Sequence, residues 1–111
     1  MSKFKLNKTV LEVDINGEDY IATVDMTTIV HYKKNNKESF LMATQRVSDM
    51  DEETIIKLLG SIIRKSDKSE PVGFKFFKDF NPIAIVEAFT PVLVEALGVN
   101  MPEAENEEEK K

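Results

Sequence analysis

The stretch from Asp51 to Lys65, DEETIIKLLGSIIRK, constrains the fold more than any other. At about 100° per residue, Ile55, Ile56, Leu58, Leu59, Ile62 and Ile63 fill an arc of roughly 160°. Lys57, Gly60, Ser61 and Arg64 take the remainder. An arc that wide needs more than one packing partner, so the stretch predicts a core helix covered from two sides. Asp51 is placed to cap it, with Met50 before it to staple onto Ile55, and Arg64 and Lys65 suit the negative end of the helix dipole.

With 111 residues, 41% hydrophobic and 32% charged, the chain has material for one core and reads as a soluble globular domain. No apolar run approaches the roughly 20 residues of a membrane helix, and MSKFKLNK lacks the apolar region of a signal peptide, so the expected compartment is the cytoplasm. The absence of cysteine removes disulfides, zinc–thiolate centres and a Cys nucleophile from consideration.

Ahead of the core helix, Leu11, Val13 and Ile15 alternate with polar residues, and Tyr20, Ala22 and Val24 do the same. Asn16-Gly17 between them marks a β-hairpin, with Asp14 to Asp19 allowing a longer loop. Phe4 and Leu6 extend the first strand or add a short one. After Asp25 the period becomes helical, with Met26, Ile29, Val30 and Lys33 in step until Asn35-Asn36; Asp25 or Thr27 is the expected cap. A second amphipathic segment places Phe40, Ala43 and Val47 on one side, with Leu41 nearby.

Behind the core helix, the polar run Ser66–Glu70 breaks into Pro71 as a loop. Four of the seven phenylalanines follow closely, Phe74, Phe76, Phe77 and Phe80. Asn81-Pro82 opens a last helix with an N-cap and a proline at its first position. From Ile83 to Leu97 the apolar residues spread over roughly 200°. Pro91 inside the run predicts a kink or a split into two helices, and Gly98 a stop. The reading is thus α+β: an N-terminal antiparallel hairpin followed by four or five helices within residues 1–101. Residues 102–111 form an acidic tail expected to be disordered.

Charge and chemistry point away from catalysis. Of the net charge of −5, five glutamates against two lysines in residues 103–111 carry −3, which leaves a nearly neutral body. Lys33, Lys34 and Lys37 are the densest basic group, read as a solvated turn rather than a nucleic-acid footprint. His31 is the single histidine and is expected to face solvent. Asp49, Asp51, Glu52 and Glu53 lack the glycine and distal glutamate of a calcium loop and suit a helix N-terminus instead. The glycines stand singly, so no phosphate-cradling loop forms, and no serine lies in a nucleophile elbow. The expectation is a non-enzyme with no cofactor and no metal.

The order of parts carries a resemblance. The hairpin LEVDINGEDYIATV, the helix MDEETIIKLL of the form LDxETxxKLL, the PVG-x-x-F segment, the Phe-Asn-Pro helix start, the Thr-Pro of the last helix and the Glu/Lys-rich tail follow one another from Leu11 to Lys111. This layout resembles the small tail assembly chaperones of siphophages and prophages of Gram-positive bacteria. The resemblance implies a protein of the bacterial cytoplasm, encoded between the tail tube and tape measure genes, that keeps the long helical tape measure protein soluble while tube subunits polymerise around it. It also implies a longer, frameshifted form that diverges in the acidic tail. The tape measure protein is the expected partner, the tail tube protein a second one, and self-association through the same surface a third expectation.

Such a role needs an apolar groove able to accept varied side chains. The expected groove residues are Phe74, Phe77, Phe80, Phe89 and Leu93, with Met42 and Met50 as adaptable contacts. Two rivals remain at this level. One is a structural or adaptor protein of the particle, of the head–tail connector kind, which would stay in finished virions. The other is a small regulator that binds nucleic acid through Lys33, Lys34 and Lys37 in a salt-dependent way.

Overall fold

A computed structural model describes residues 7–98. The expectations for Phe4, Leu6 and the tail of residues 102–111 fall outside them. The chain opens as the predicted hairpin, β1 Val10–Ile15 and β2 Glu18–Thr23, paired antiparallel with Ile15 opposite Glu18. That register leaves a two-residue turn, shorter than the alternative loop. Asn16 and Gly17 both take positive φ, 53° and 86°, as a primed turn demands, and Asp14 Oδ1 accepts a hydrogen bond from the Gly17 N–H at 2.8 Å.

Helix α1, Met26–Asn36, is capped by Asp25, which accepts from the Thr28 N–H while Thr28 Oγ1 accepts from the Asp25 N–H. Lys37 ends it in the left-handed conformation, at φ 58°. The short helix α2, Phe40–Thr44, and a 3-10 turn over Val47–Asp49 lead into α3, Glu52–Ile62. Asp51 caps α3 as expected, accepting from the Thr54 N–H at 3.0 Å. Another 3-10 turn, Phe74–Phe77, precedes α4, Pro82–Ala96, whose N-terminal N–H groups on Ile83 and Ala84 are taken by Asn81 Oδ1. Pro91 neither ends nor divides α4. The carbonyl it leaves without a helical donor belongs to Glu87, at an exposed position where water can serve it.

Three expectations are corrected. The core helix stops at Ile62 instead of continuing to Lys65, because Ile63–Arg64 forms a third strand, β3, antiparallel to β2 with Ile63 opposite Ala22. Residues placed on the polar side of that helix are inside: Gly60 and Ser61 are buried, and Arg64 is 1% exposed. Helix α1 turns Thr28 and Tyr32 inward and leaves Met26 and Val30 outside, since the Tyr32 ring stacks edge-on against Phe40 at 5.7 Å and Thr28 joins a polar network under β3.

The core gathers around α3. Ile55, Leu58, Leu59 and Ile62 are fully buried between α4 on one side and α1 with α2 on another. The breadth of its apolar arc is the reason it can satisfy both. The segment after Pro71 is tied back to the end of α3 by the Val72 N–H on the Ile63 carbonyl, 2.9 Å, and the Gly73 N–H on the Gly60 carbonyl, 2.8 Å. Those bonds set the aromatic stretch 74–80 against α3.

Two ion-pair groups among the described residues have partly buried members, one joining elements far apart in the chain and one closing the region between α1 and α3. Arg64 grips Asp25 with both terminal nitrogens, at 2.6 and 3.2 Å, while Lys8 reaches the same carboxylate at 3.2 Å. Arg46 makes a two-pronged pair with Glu38, at 2.6 and 3.0 Å, and the Tyr32 hydroxyl donates to Glu38 at 2.8 Å. The Arg46 and Tyr32 hydrogen bonds pull the Glu38 pKa down to about 2, while burial and the Glu38 charge push Tyr32 up.

Candidate functional site

The five residues expected to form one groove are not brought together. Phe77 is 3% exposed and Leu93 fully buried. This is a correction: both belong to the core, because the 3-10 turn and α4 both pack against α3 and bury these side chains in the central cluster. Phe74 is 45% exposed and stands at the start of the 3-10 turn, in the wall of a cleft it shares with His31 and Lys37. Phe80 and Phe89 are half-buried and line a different cleft, of about 420 Å³, with Ile15, Ala84 and Ala88.

Phe76 was not among the expected residues, yet it is the centre of the aromatic cluster. Its ring lies 5.4 Å from Tyr20, 4.9 Å from Phe77 and 5.6 Å from Phe80, all near edge-to-face. The cluster fastens the 3-10 turn to the hairpin through Tyr20, so it is mostly internal support. Its two ends reach clefts, Phe80 beside α4 and Tyr20, on the hairpin, beside Lys65.

Open apolar surface is found elsewhere, on the outer side of α4. This helix has two charged residues, Glu87 and Glu95, and only Ile85, Val86, Leu93 and Ala96 of its fifteen residues are buried. Ile83 at 53% and Val94 at 42% exposure lie outside, together with Ala84, Ala88 and Pro91. With Phe80 and Phe89 at its flank, this face is a broad, largely apolar surface left open among the described residues, crossed by the exposed Glu87 and Glu95. The sequence signal for it was the wide arc of the last helix; its orientation needed the fold. Leu41, Met42 and Met50 are a second exposed group, at 70%, 57% and 50%, around α2 and the turn after it.

A third feature is cationic. A cleft of about 600 Å³ lies between the end of α1, the middle of α3 and the segment after Pro71, with Lys37, Lys57 and Lys75 at its rim. Lys34 faces the neighbouring cleft instead, and Lys33 lines neither. Lys57 lies 3.3 Å from Glu53 on its own helix. Local sequence spacing could not reveal a rim assembled from three segments.

At the floor of this cleft His31 corrects the expectation of a solvent-facing residue: it is half-buried, its Nδ1 2.8 Å from Ser61 Oγ. Burial holds the imidazole below its ordinary pKa; the Glu70 charge opposes this and Lys34 and Arg64 add to it. Ser61 is fully buried, so the pair serves as a bond between α1 and α3 rather than presenting an oxygen to the cleft.

Among the described residues no helix is long and apolar enough to cross a membrane. With the three surfaces defined, the comparisons add no relative: no protein-family model, no curated protein and no solved structure matches this chain.

Proposed function

We propose that this chain is a non-enzymatic assembly chaperone of a phage tail, which holds a tape measure protein soluble in the bacterial cytoplasm until tube subunits enclose it. The observation that carries the reading is α4, an apolar fifteen-residue helix of which only four residues are buried. Its outer face, flanked by the half-buried Phe80 and Phe89, suits a partner helix that lays an apolar stripe along it. A long helical partner offers many such stripes, so a weak site repeated over many copies suffices. The working surface is thus Ile83, Ala84, Ala88, Phe89 and Val94, in place of a groove built on Phe77 and Leu93.

The test is co-expression with a tape measure protein. Ile83→Glu and Ala88→Glu alter exposed positions, so each should shift stability by no more than about 0.5 kcal/mol. Together they should abolish most of the partner's solubility. Phe77→Ala should do the opposite, lowering the melting temperature sharply through a core cavity. Unchanged partner solubility with the double glutamate variant folded would remove this surface, and the chaperone reading with it.

A further inference from the structure

The described chain closes at Gly98, beside the start of α1, where Leu97 and Gly98 line a cleft with Lys8, Met26 and Ile29. That cleft shares Met26 with a second, walled by Val30, His31, Lys34 and Asn35. The second shares His31 and Asn35 with the lysine-rimmed cleft. The three make one track along α1, and its chemistry changes from end to end. Close to Gly98 its apolar lining is Val24, Met26, Ile29 and Leu97, beside the paired Lys8 and Asp25, and Val30, 58% exposed, follows in the middle cleft; at the far end it is cationic, with Lys37, Lys57 and Lys75. The sequence after Gly98 changes in the same order. Val99 and Met101 come first, then Pro102, then Glu103, Glu105, Glu107, Glu108 and Glu109.

We infer that the occupant of this track is the chain's own segment after Gly98, whose glutamates complement the charge of Lys37, Lys57 and Lys75. Length permits it. The eleven residues of α1 span about 16 Å, and an extended chain covers roughly that distance between Gly98 and Glu103. The glutamates beyond have slack to meet all three lysines.

Energetics make the contact shallow and reversible. Each exposed lysine–glutamate pair contributes little, Glu53 already competes for Lys57, and Glu70 in the middle cleft repels the segment. What holds it is the short covalent connection, which gives the weak pairs a high effective concentration.

The single histidine is the probe, since it stands where the middle and cationic clefts meet. His31 is titrated by NMR in the native chain and in a full-length variant with the five glutamates changed to glutamine, both at low salt. The native chain should give a His31 pKa higher by on the order of half a unit. The backbone amides of Asn35, Asn36, Gly73 and Phe74 should shift between the two proteins. Both differences should vanish at 0.5 M salt and in a Lys37→Gln, Lys57→Gln, Lys75→Gln variant, and neither should depend on protein concentration. Identical titrations would overturn the inference. So would a difference that survives high salt, which is not ion pairing, or one that grows with concentration, which assigns the track to a second copy.

Discussion

Replacing Arg64 with alanine should destabilise the protein by about 3–5 kcal/mol, because it strips one partner from an ion pair that water barely reaches. Arg64 is 1% exposed in its side chain and Asp25 21%. The guanidinium also donates to Thr28 Oγ1 at 3.2 Å and to the Asp67 carbonyl at 3.1 Å, so one residue joins β3, the cap of α1 and the loop after β3. Its Nε is buried with no partner among the described residues, a cost the fold already carries. Alanine leaves Asp25 with the exposed Lys8 and the helix cap, and opens a cavity beneath β2. Urea unfolding measures the loss. Arg64→Met with Asp25→Asn, which discards the pair while keeping volume and the cap's acceptor, should recover much of it. A loss below about 1 kcal/mol for the alanine variant would mean that the network is incidental.

The same pair sets the acid limit. Burial by itself raises the Asp25 pKa, but hydrogen bonds from Arg64, the Thr28 N–H and Lys8 outweigh it and hold the carboxyl well below the usual carboxylate range. A folded-state pKa below the unfolded one contributes stability that is complete above about pH 4 and is lost as pH falls toward the folded value. Glu38, lowered to about 2 by Arg46 and Tyr32, acts in the same direction. Stability should therefore fall steadily below pH 4, and Asp25→Asn should flatten that slope. An equal slope in the variant would show that other carboxylates set it.

The second large effect is Gly60→Ala, expected to cost about 2–3 kcal/mol although alanine favours a helix over glycine by about 1 kcal/mol. A Cβ at Gly60 would lie 2.5 Å from the Gly73 carbonyl carbon, 2.7 Å from the Phe74 nitrogen and 2.9 Å from the Gly73 oxygen. All three are backbone atoms, so no side chain can rotate out of the way. The segment carrying them is fixed by the Gly73–Gly60 hydrogen bond, and Gly73, at φ 84°, sits where only glycine is at ease. The substitution must lift the 74–80 stretch from α3 and disturb the aromatic cluster. Chemical denaturation and the near-ultraviolet signal of the rings report this together. A neutral or stabilising Gly60→Ala would refute the close approach.

These two residues also show where sequence reading stopped. Gly60 and Arg64 follow the helical period of α3 faultlessly, on the side opposite Ile55 and Leu59, and that placement made them polar-face residues. The period contains no trace of Gly73, thirteen positions on, or of Asp25, thirty-nine positions back. A two-residue strand has no period of its own, so Ile63 and Arg64 read as a last helical turn. In α1 the spacing of Met26, Ile29 and Val30 suggested an apolar face, yet Thr28 and Tyr32 hold the inward side because a buried hydroxyl there has partners waiting.

The five expected groove residues divide on the same ground. Phe77 and Leu93 are as apolar as Phe89 and sit in equally apolar runs. What separates them is how completely neighbouring segments cover each one, which no local pattern records. The apolar excess of the last helix was legible in its wide arc; the side left open was not.

The chain's own order of residues determined the elements whose causes lie within four positions: the Asn16-Gly17 turn, the caps at Asp51 and Asn81, the stop after Asn36 and the breadth of the α3 arc. Tertiary structure decided the end of α3, the burial of Arg64, the rim of three lysines and the open face of α4. Turns and caps satisfy backbone groups with neighbours in the chain, so they form wherever those neighbours are. Burial is a relation between segments, and it acquires a value only when the segments have met.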